Sequence, residues 1–193
     1  MPAPFKTTVC GIDELIGHGS AGVSHVLSIL DPGWPVPSAF GSYGEHERLE
    51  LRFHDVIDEV AGAIAPAPEH VQQLLAFGRD LINEPREAAH LLVHCHAGVS
   101  RSTGSMAVIL AEAMPTSPAS AVFDEVLGIR PGAWPNLRIV EIGDALLKRN
   151  GELIAAAHEV YRLQIRRRPE LADIMTASGR GREVAAAVGS GSR

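Results

Sequence analysis

The run His94-Cys95-His96-Ala97-Gly98-Val99-Ser100-Arg101-Ser102 sets a thiol, a guanidinium and a hydroxyl in one short stretch. It follows the apolar Leu91-Leu92-Val93 and opens a helical pattern carrying Ser105, Met106, Val108, Ile109 and Leu110. A strand, a tight loop and a helix start make an anion-binding arrangement, because the N–H groups of the loop and of the first helical turn hold an oxyanion without many side-chain charges. Gly98 permits the sharp turn. Cys95, at the strand end, brings its sulfur to the loop centre, where amides, helix dipole and Arg101 favour the thiolate. A thiolate is nucleophilic at neutral pH, and the covalent intermediate it forms divides one hard displacement into two easier ones. Arg101, six residues on, brings the chain back around the anion, and its planar fork donates two parallel hydrogen bonds where lysine offers a point charge. The Ser102 hydroxyl is placed to hydrogen-bond the sulfur as it leaves. His96, Ala97, Gly98, Val99, Ser100 and Arg101 are thus expected to bind a phosphoryl group, whose spreading charge meets preorganised donors.

Taken alone, Cys95 reads as a small core residue, and only the complete loop with Arg101 reverses that. His94 is expected to orient the loop through hydrogen bonds and His96 to line its rim. Neither reads as a metal ligand: adjacent strand residues point to opposite faces, and no second ligand pair stands at tight spacing. No metal and no cofactor are expected. Cys10 and Cys95 do not make a disulfide framework, and Cys10 reads as a strand residue.

The net charge of −6 is uneven: residues 1–147 hold 8 Lys/Arg against 18 Asp/Glu, and residues 148–193 hold 9 against 5. An acidic body with a mildly basic tail argues against nucleic acid as the main ligand, since polyphosphate binding needs a basic face, and leaves only the tail open to it. No apolar run is long enough to span a bilayer, and Met1–Cys10 lacks the features of an export signal, so a cytoplasmic protein without membrane insertion is expected.

The elements that must position the loop are legible around it. Runs rich in β-branched or apolar residues predict strands at Thr7–Cys10, Val23–Leu30, Leu49–Phe53 and His90–Cys95. The Pro- and Gly-rich segment Asp31–Gly44 predicts an extended surface loop. Pro68 sets the first turn of a helix with Val71, Leu74, Leu75, Leu81 and Ile82 at helical spacing. Further helices are predicted at Ser102–Ala113, Ala119–Leu127, Leu137–Leu147 and residues 151–168, the last ending in Arg166, Arg167 and Arg168, which suit a helix C-terminus. Strands separated by helices, then a helical second half, predict one α/β domain with a mostly parallel central sheet flanked by helices, and ligands in such sheets bind beyond the strands' carboxyl ends. The domain is expected over residues 1–168. Residues 169–193 form a basic tail rich in Gly, Ala and Ser, expected to be poorly ordered.

His-Cys, five residues, then Arg-Ser after an apolar strand resembles the signature of the protein tyrosine phosphatase superfamily. The similarity spans about residues 7–147 and is closest to small dual-specificity-phosphatase-like bacterial members. Val23–Leu30 resembles that family's early strand, Leu51-Arg52-Phe53-His54-Asp55 the strand leading into its general-acid loop, and Arg130-Pro131 with Trp134-Pro135-Asn136 the element after its catalytic helix. The resemblance implies Asp55 as general acid, with Asp58 and Glu59 as competitors, and Asn136 as the buttress of the phosphate loop. The stretch between Asp55 and Cys95 is longer than in typical small members and contains Ala65-Pro66-Ala67-Pro68. The implied substrate is a phosphorylated protein or peptide, phosphotyrosine ahead of phosphoserine or phosphothreonine, since no extra Lys or Arg lies between Cys95 and Arg101. Phosphate- and vanadate-type anions are the implied inhibitors. Two other readings stand beside it: a rhodanese- or arsenate-reductase-like cysteine enzyme, and a phosphate-reading interaction module without turnover.

Overall fold

The computed structural model describes residues 3–83 and 89–189. Four parallel strands, β1 (Lys6–Cys10), β2 (His25–Leu30), β3 (Glu47–Arg52) and β4 (His90–His94), form one sheet in the order β1-β4-β2-β3. The strand that leads into Cys95 is therefore interior, with β1 and β2 bonded to either side of it. Side chains alternate between faces along each strand. Val9, Leu27, Ile29, Leu51, Leu91 and Val93 join the large core under the helices, while Cys10, Val26 and Leu92 face a smaller cluster with Leu15 and Phe40. The second face is covered by two short 3₁₀ turns, Ile12–His18 and Ser38–Ser42, the latter inside the segment expected to be an extended loop.

Helices α1 (Pro68–Ile82), α2 (Arg101–Ala113), α3 (Ala119–Ile129), α4 (Leu137–Leu146) and α5 (Glu152–Arg167) follow the predicted pattern closely. Proline at the first position of α1 fixes its start, since its missing N–H would have had no intrahelical partner. Helix α2 is buried along almost its whole length, from Arg101 to Ala111. It packs between α1 and α4, and the approach is close: a Cβ on Gly143 of α4 would lie 2.3 Å from Cγ2 of Val108.

The expectation of a poorly ordered tail fails for the described part of residues 169–193. Leu171–Met175 forms α6, Thr176–Arg180 a single wide π-type turn, and Gly181–Gly189 forms α7, which packs on α5. Counting Gly, Ala and Ser as disorder-prone hid two facts: alanine is the best helix former, and Glu183 and Ala187 recur at helical spacing on a buried face. Gly179, at φ +77°, supplies the left-handed residue that redirects the chain between the helices. The folded domain thus runs past residue 168. Residues 190–193 lie outside the described residues.

The packing of α4 on α2 yields a direct test. Gly143→Ala should lower stability by about 1–3 kcal/mol, overpacking outweighing the helix-propensity gain of about 1 kcal/mol. Combined with Val108→Ala, the loss should be smaller than the sum of the single losses, read from urea midpoints.

Candidate active site

The loop after β4 is built so that its carbonyls face outward. The His96 carbonyl accepts from Ile12 N–H at 3.0 Å, Ala97 from the Arg130 guanidinium at 3.1 Å, Val99 from Trp134 N–H at 3.0 Å and Ser100 from Asn136 N–H at 3.1 Å. Among the described residues, no hydrogen bond is donated by the backbone N–H groups of residues 96–100. Gly98 makes the turn at φ +68°, and a Cβ there would lie 2.4 Å from the carbonyl carbon of Cys10, so the loop rests on the end of β1. Ser100 precedes α2 but does not cap it. Its hydroxyl donates instead to Asp55 Oδ1 at 2.7 Å, leaving the first helical turn without a side-chain partner and open to an anion.

Cys95 is buried, its Sγ 3.2 Å from the Ser102 hydroxyl. Arg101 is buried too. Its NH1 donates to Asp31 Oδ1 at 2.5 Å and to the Phe53 carbonyl at 2.7 Å, while its buried Nε has no partner among the described residues. Asp31 and Phe53 sit at the carboxyl ends of β2 and β3, so the sheet itself aims the guanidinium. His94 lies beneath the loop: the Cys95 carbonyl can only accept, so Nδ1 donates to it at 3.4 Å and Nε2 accepts from Ser28 at 2.7 Å. Burial pushes His94 down to about 4, which keeps the ring neutral in that role. His96 lies at the rim, where its Nε2 accepts from the Asp31 N–H and its ring packs 4.4 Å from that of Trp34. Burial, then the nearby Arg101 charge, lowers it.

A cavity of about 350 Å³ opens over the loop, lined by Cys95, Arg101, Asp55 and, from the C-terminal segment, Met175, Ser178 and Arg180. Of the competing carboxylates, Asp55 reaches it. Asp58 is exposed and pairs with Arg182, and Glu59 pairs with Arg138. The long connection after Asp55 is tied back on itself, with His54 N–H donating to the Ile64 carbonyl at 2.7 Å and Ile64 N–H to His54 Nδ1 at 2.9 Å. Asn136 links the two halves of the site: its backbone supports the loop at Ser100, its Nδ2 donates to Asp55 Oδ1 at 2.8 Å, and its Oδ1 caps α4 at Ile139.

Three polar residues of the site carry no local sequence signal of a role there: Asp31 starts the Pro- and Gly-rich segment, and Arg180 and Glu183 lie beyond residue 168. What the latter pair does show is a three-residue spacing ahead of Val184 and Ala187, a helical face with a charged start.

No family model matches the sequence, and no curated protein does. Solved structures do: human DUSP28 superposes with a TM-score of 0.54 at 17% identity over 74% of this chain and 94% of that one. The PTP-2 phosphatase of Cydia pomonella gives 0.55 at 22% identity over 72% and 84%. This chain has the dual-specificity-phosphatase fold. A human tyrosine phosphatase-like serine/threonine/tyrosine-interacting protein shares it, with a TM-score of 0.53 at 17% identity over 73% and 87%. Within this dual-specificity-phosphatase fold, the loop after β4 and the cavity above it are the features to which a function must be assigned.

The neutral His94 predicts a pH dependence of stability. Its folded value lies below the ordinary 6.5, so its contribution is complete above about pH 6.5 and is lost as the pH falls toward 4, when unfolding takes up a proton. His70, His90 and His158 are lowered by burial in the same sense. Replacing His94 by Asn should therefore make the unfolding free energy fall less steeply between pH 6.5 and 4 without flattening it, as measured by urea titrations across that range.

Proposed function

We propose that this protein is a cysteine-dependent phosphatase that hydrolyses phosphate monoesters through a phosphocysteine on Cys95. The observation that carries the reading is the division of the loop's backbone: every carbonyl from His96 to Ser100 except that of Gly98 is bonded from outside, while the N–H groups on the same peptides are unspent around a buried sulfur. Such a ring of donors matches three phosphoryl oxygens and costs no reorganisation when charge develops on them. Arg101 adds fixed charge. With NH1 held by Asp31 and Phe53, its orientation is set before a ligand arrives, and the unpartnered Nε is available to an anion.

The Cys95 thiolate attacks phosphorus in line, the P–O bond to the leaving group breaks, and Asp55 gives its proton to the departing oxygen. The ionised Asp55 then takes a proton from water as that water attacks the phosphocysteine, and the Ser102 hydroxyl hydrogen-bonds the sulfur as it leaves. Phosphorylated protein is the substrate class supported best. The stretch from His96 to Ser100 has no cationic side chain, and Arg180, the other guanidinium at the cavity, is already paired with Glu183 and Asp55. A polyphosphorylated headgroup would find no spare cation there, whereas a single phosphotyrosine, phosphoserine or phosphothreonine needs none.

Initial rates on an aryl phosphate test the reading. The full chain should release phosphate equally with and without EDTA. Cys95→Ser should lose turnover yet still bind phosphopeptide, because the hydroxyl keeps the loop's shape without the thiolate's nucleophilicity. Arg101→Lys should lose most of its activity, since a point charge does not reproduce the fork. Turnover by Cys95→Ser would overturn the mechanism, and phosphopeptide binding without turnover by the unaltered chain would make it an interaction module.

A further inference from the structure

All the hydrogen bonds described for Asp55 end on one of its two oxygens. Oδ1 accepts from Ser100 Oγ at 2.7 Å, from Asn136 Nδ2 at 2.8 Å and from Arg180 NH1 at 3.2 Å, and none is described for Oδ2. Two of these donors belong to the loop and to α4. The third arrives from the far end of the chain, and it also binds Ser100 Oγ, at 3.0 Å. Its side chain is 5% exposed.

Arg180 is held as firmly as what it holds. Its NH2 donates to Glu183 Oε1 at 2.6 Å, and Glu183, itself fully buried, accepts from Trp134 Nε1 at 2.5 Å and from Leu137 N–H at 3.0 Å. These two partners flank Asn136, so the carboxylate ties the C-terminal segment to the stretch that supports the phosphate loop. Burial opposes the charge on Arg180, but the Glu183 and Asp55 carboxylates outweigh it and raise the group above its ordinary value. A charge paired on both sides is poorly suited to binding a substrate phosphate. It is well suited to fixing a carboxylate.

We propose that Arg180 is a positioning residue for the general acid: delivered by the C-terminal segment, it fixes Oδ1 of Asp55 so that Oδ2 is the oxygen that carries and delivers the proton. The inference rests on the phosphatase reading and on Asp55 as its acid. A carboxylic acid with one oxygen saturated by donors keeps its proton on the other, and a donor turned through the wrong angle loses the advantage of proximity. The C-terminal segment is then a working part of the site.

The test uses the full chain and two aryl phosphates, phenyl phosphate with a poor leaving group and a nitrophenyl phosphate with a good one. General acid catalysis typically contributes about 10²–10⁴-fold and matters most when the leaving group is poor. Arg180→Met should lower kcat on phenyl phosphate by about tenfold or more with little change in KM, and should lower it far less on the nitrophenyl ester. In an Asp55→Ala background it should have no further effect, because the group it positions is gone. Arg180→Lys should restore part of the loss. Glu183→Gln, which weakens the anchor while leaving Arg180 in place, should show the same leaving-group signature at smaller size, and it decides the matter if Arg180→Met does not fold. An equal loss on both esters, or an added loss in the Asp55→Ala background, would overturn the inference and leave the phosphatase reading standing. If the unaltered chain hydrolysed neither ester, the phosphatase reading would fail and carry this one with it; if Asp55→Ala matched the unaltered chain on both, Asp55 would not be the acid and this inference alone would fall.

Discussion

The site depends on one constraint: the peptide units of residues 96–100 must turn their carbonyls away from the sulfur. A tight loop does not do this unaided, because outward carbonyls need donors and inward N–H groups repel one another. The surrounding chain supplies those donors from Ile12 and from Arg130, Trp134 and Asn136, two stretches far apart in sequence. The backing of Gly98 on the end of β1 sets the turn, and any side chain there would push the loop off its seat. The shape of this loop is thus a property of the whole domain, set by bonds that come from outside it.

The same economy governs the ionisable groups. Asp31 spends its carboxylate on Arg101, and Asn136 serves the loop, Asp55 and helix α4 with three different atoms. Ser100 gives up helix capping to bond Asp55. Each polar atom placed this way is removed from the set of rotamers the site would otherwise sample, which is how a small domain holds a thiol, a guanidinium and a carboxylate in register.

The strand–loop–helix setting of residues 94–102 is legible in the sequence because it is contiguous: β4 ends at His94 and α2 begins at Arg101. The strands and helices were legible for a similar reason, since period and punctuation are local signals, and Pro68 marked the start of α1 where the structure places it. What could not be read was contact across long separations. Asp31 meets Arg101 across 70 residues and Asp55 meets Arg180 across 125, and no local pattern announces either. The choice of Asp55 over Asp58 came from resemblance to a family and agrees with which carboxylate reaches the cavity, though its chemical role is a proposal. In the tail, composition and periodicity point opposite ways, and the structure follows the periodicity of Glu183 and Ala187.

The two tryptophans of the chain fall at opposite ends of this arrangement. Trp34 is 46% exposed, with its ring against His96 at the mouth of the cavity, while Trp134 is buried with its indole N–H on Glu183. The protein therefore carries two intrinsic fluorophores in contrasting surroundings, a solvent-facing one beside the anion loop and a dry one on the clasp of the C-terminal helices. The surroundings of the first are set by its contact with His96, and those of the second by the Glu183 carboxylate from α7. With one tryptophan replaced at a time, the surroundings of His96 and the docking of the C-terminal helices become separate optical channels in an unlabelled protein.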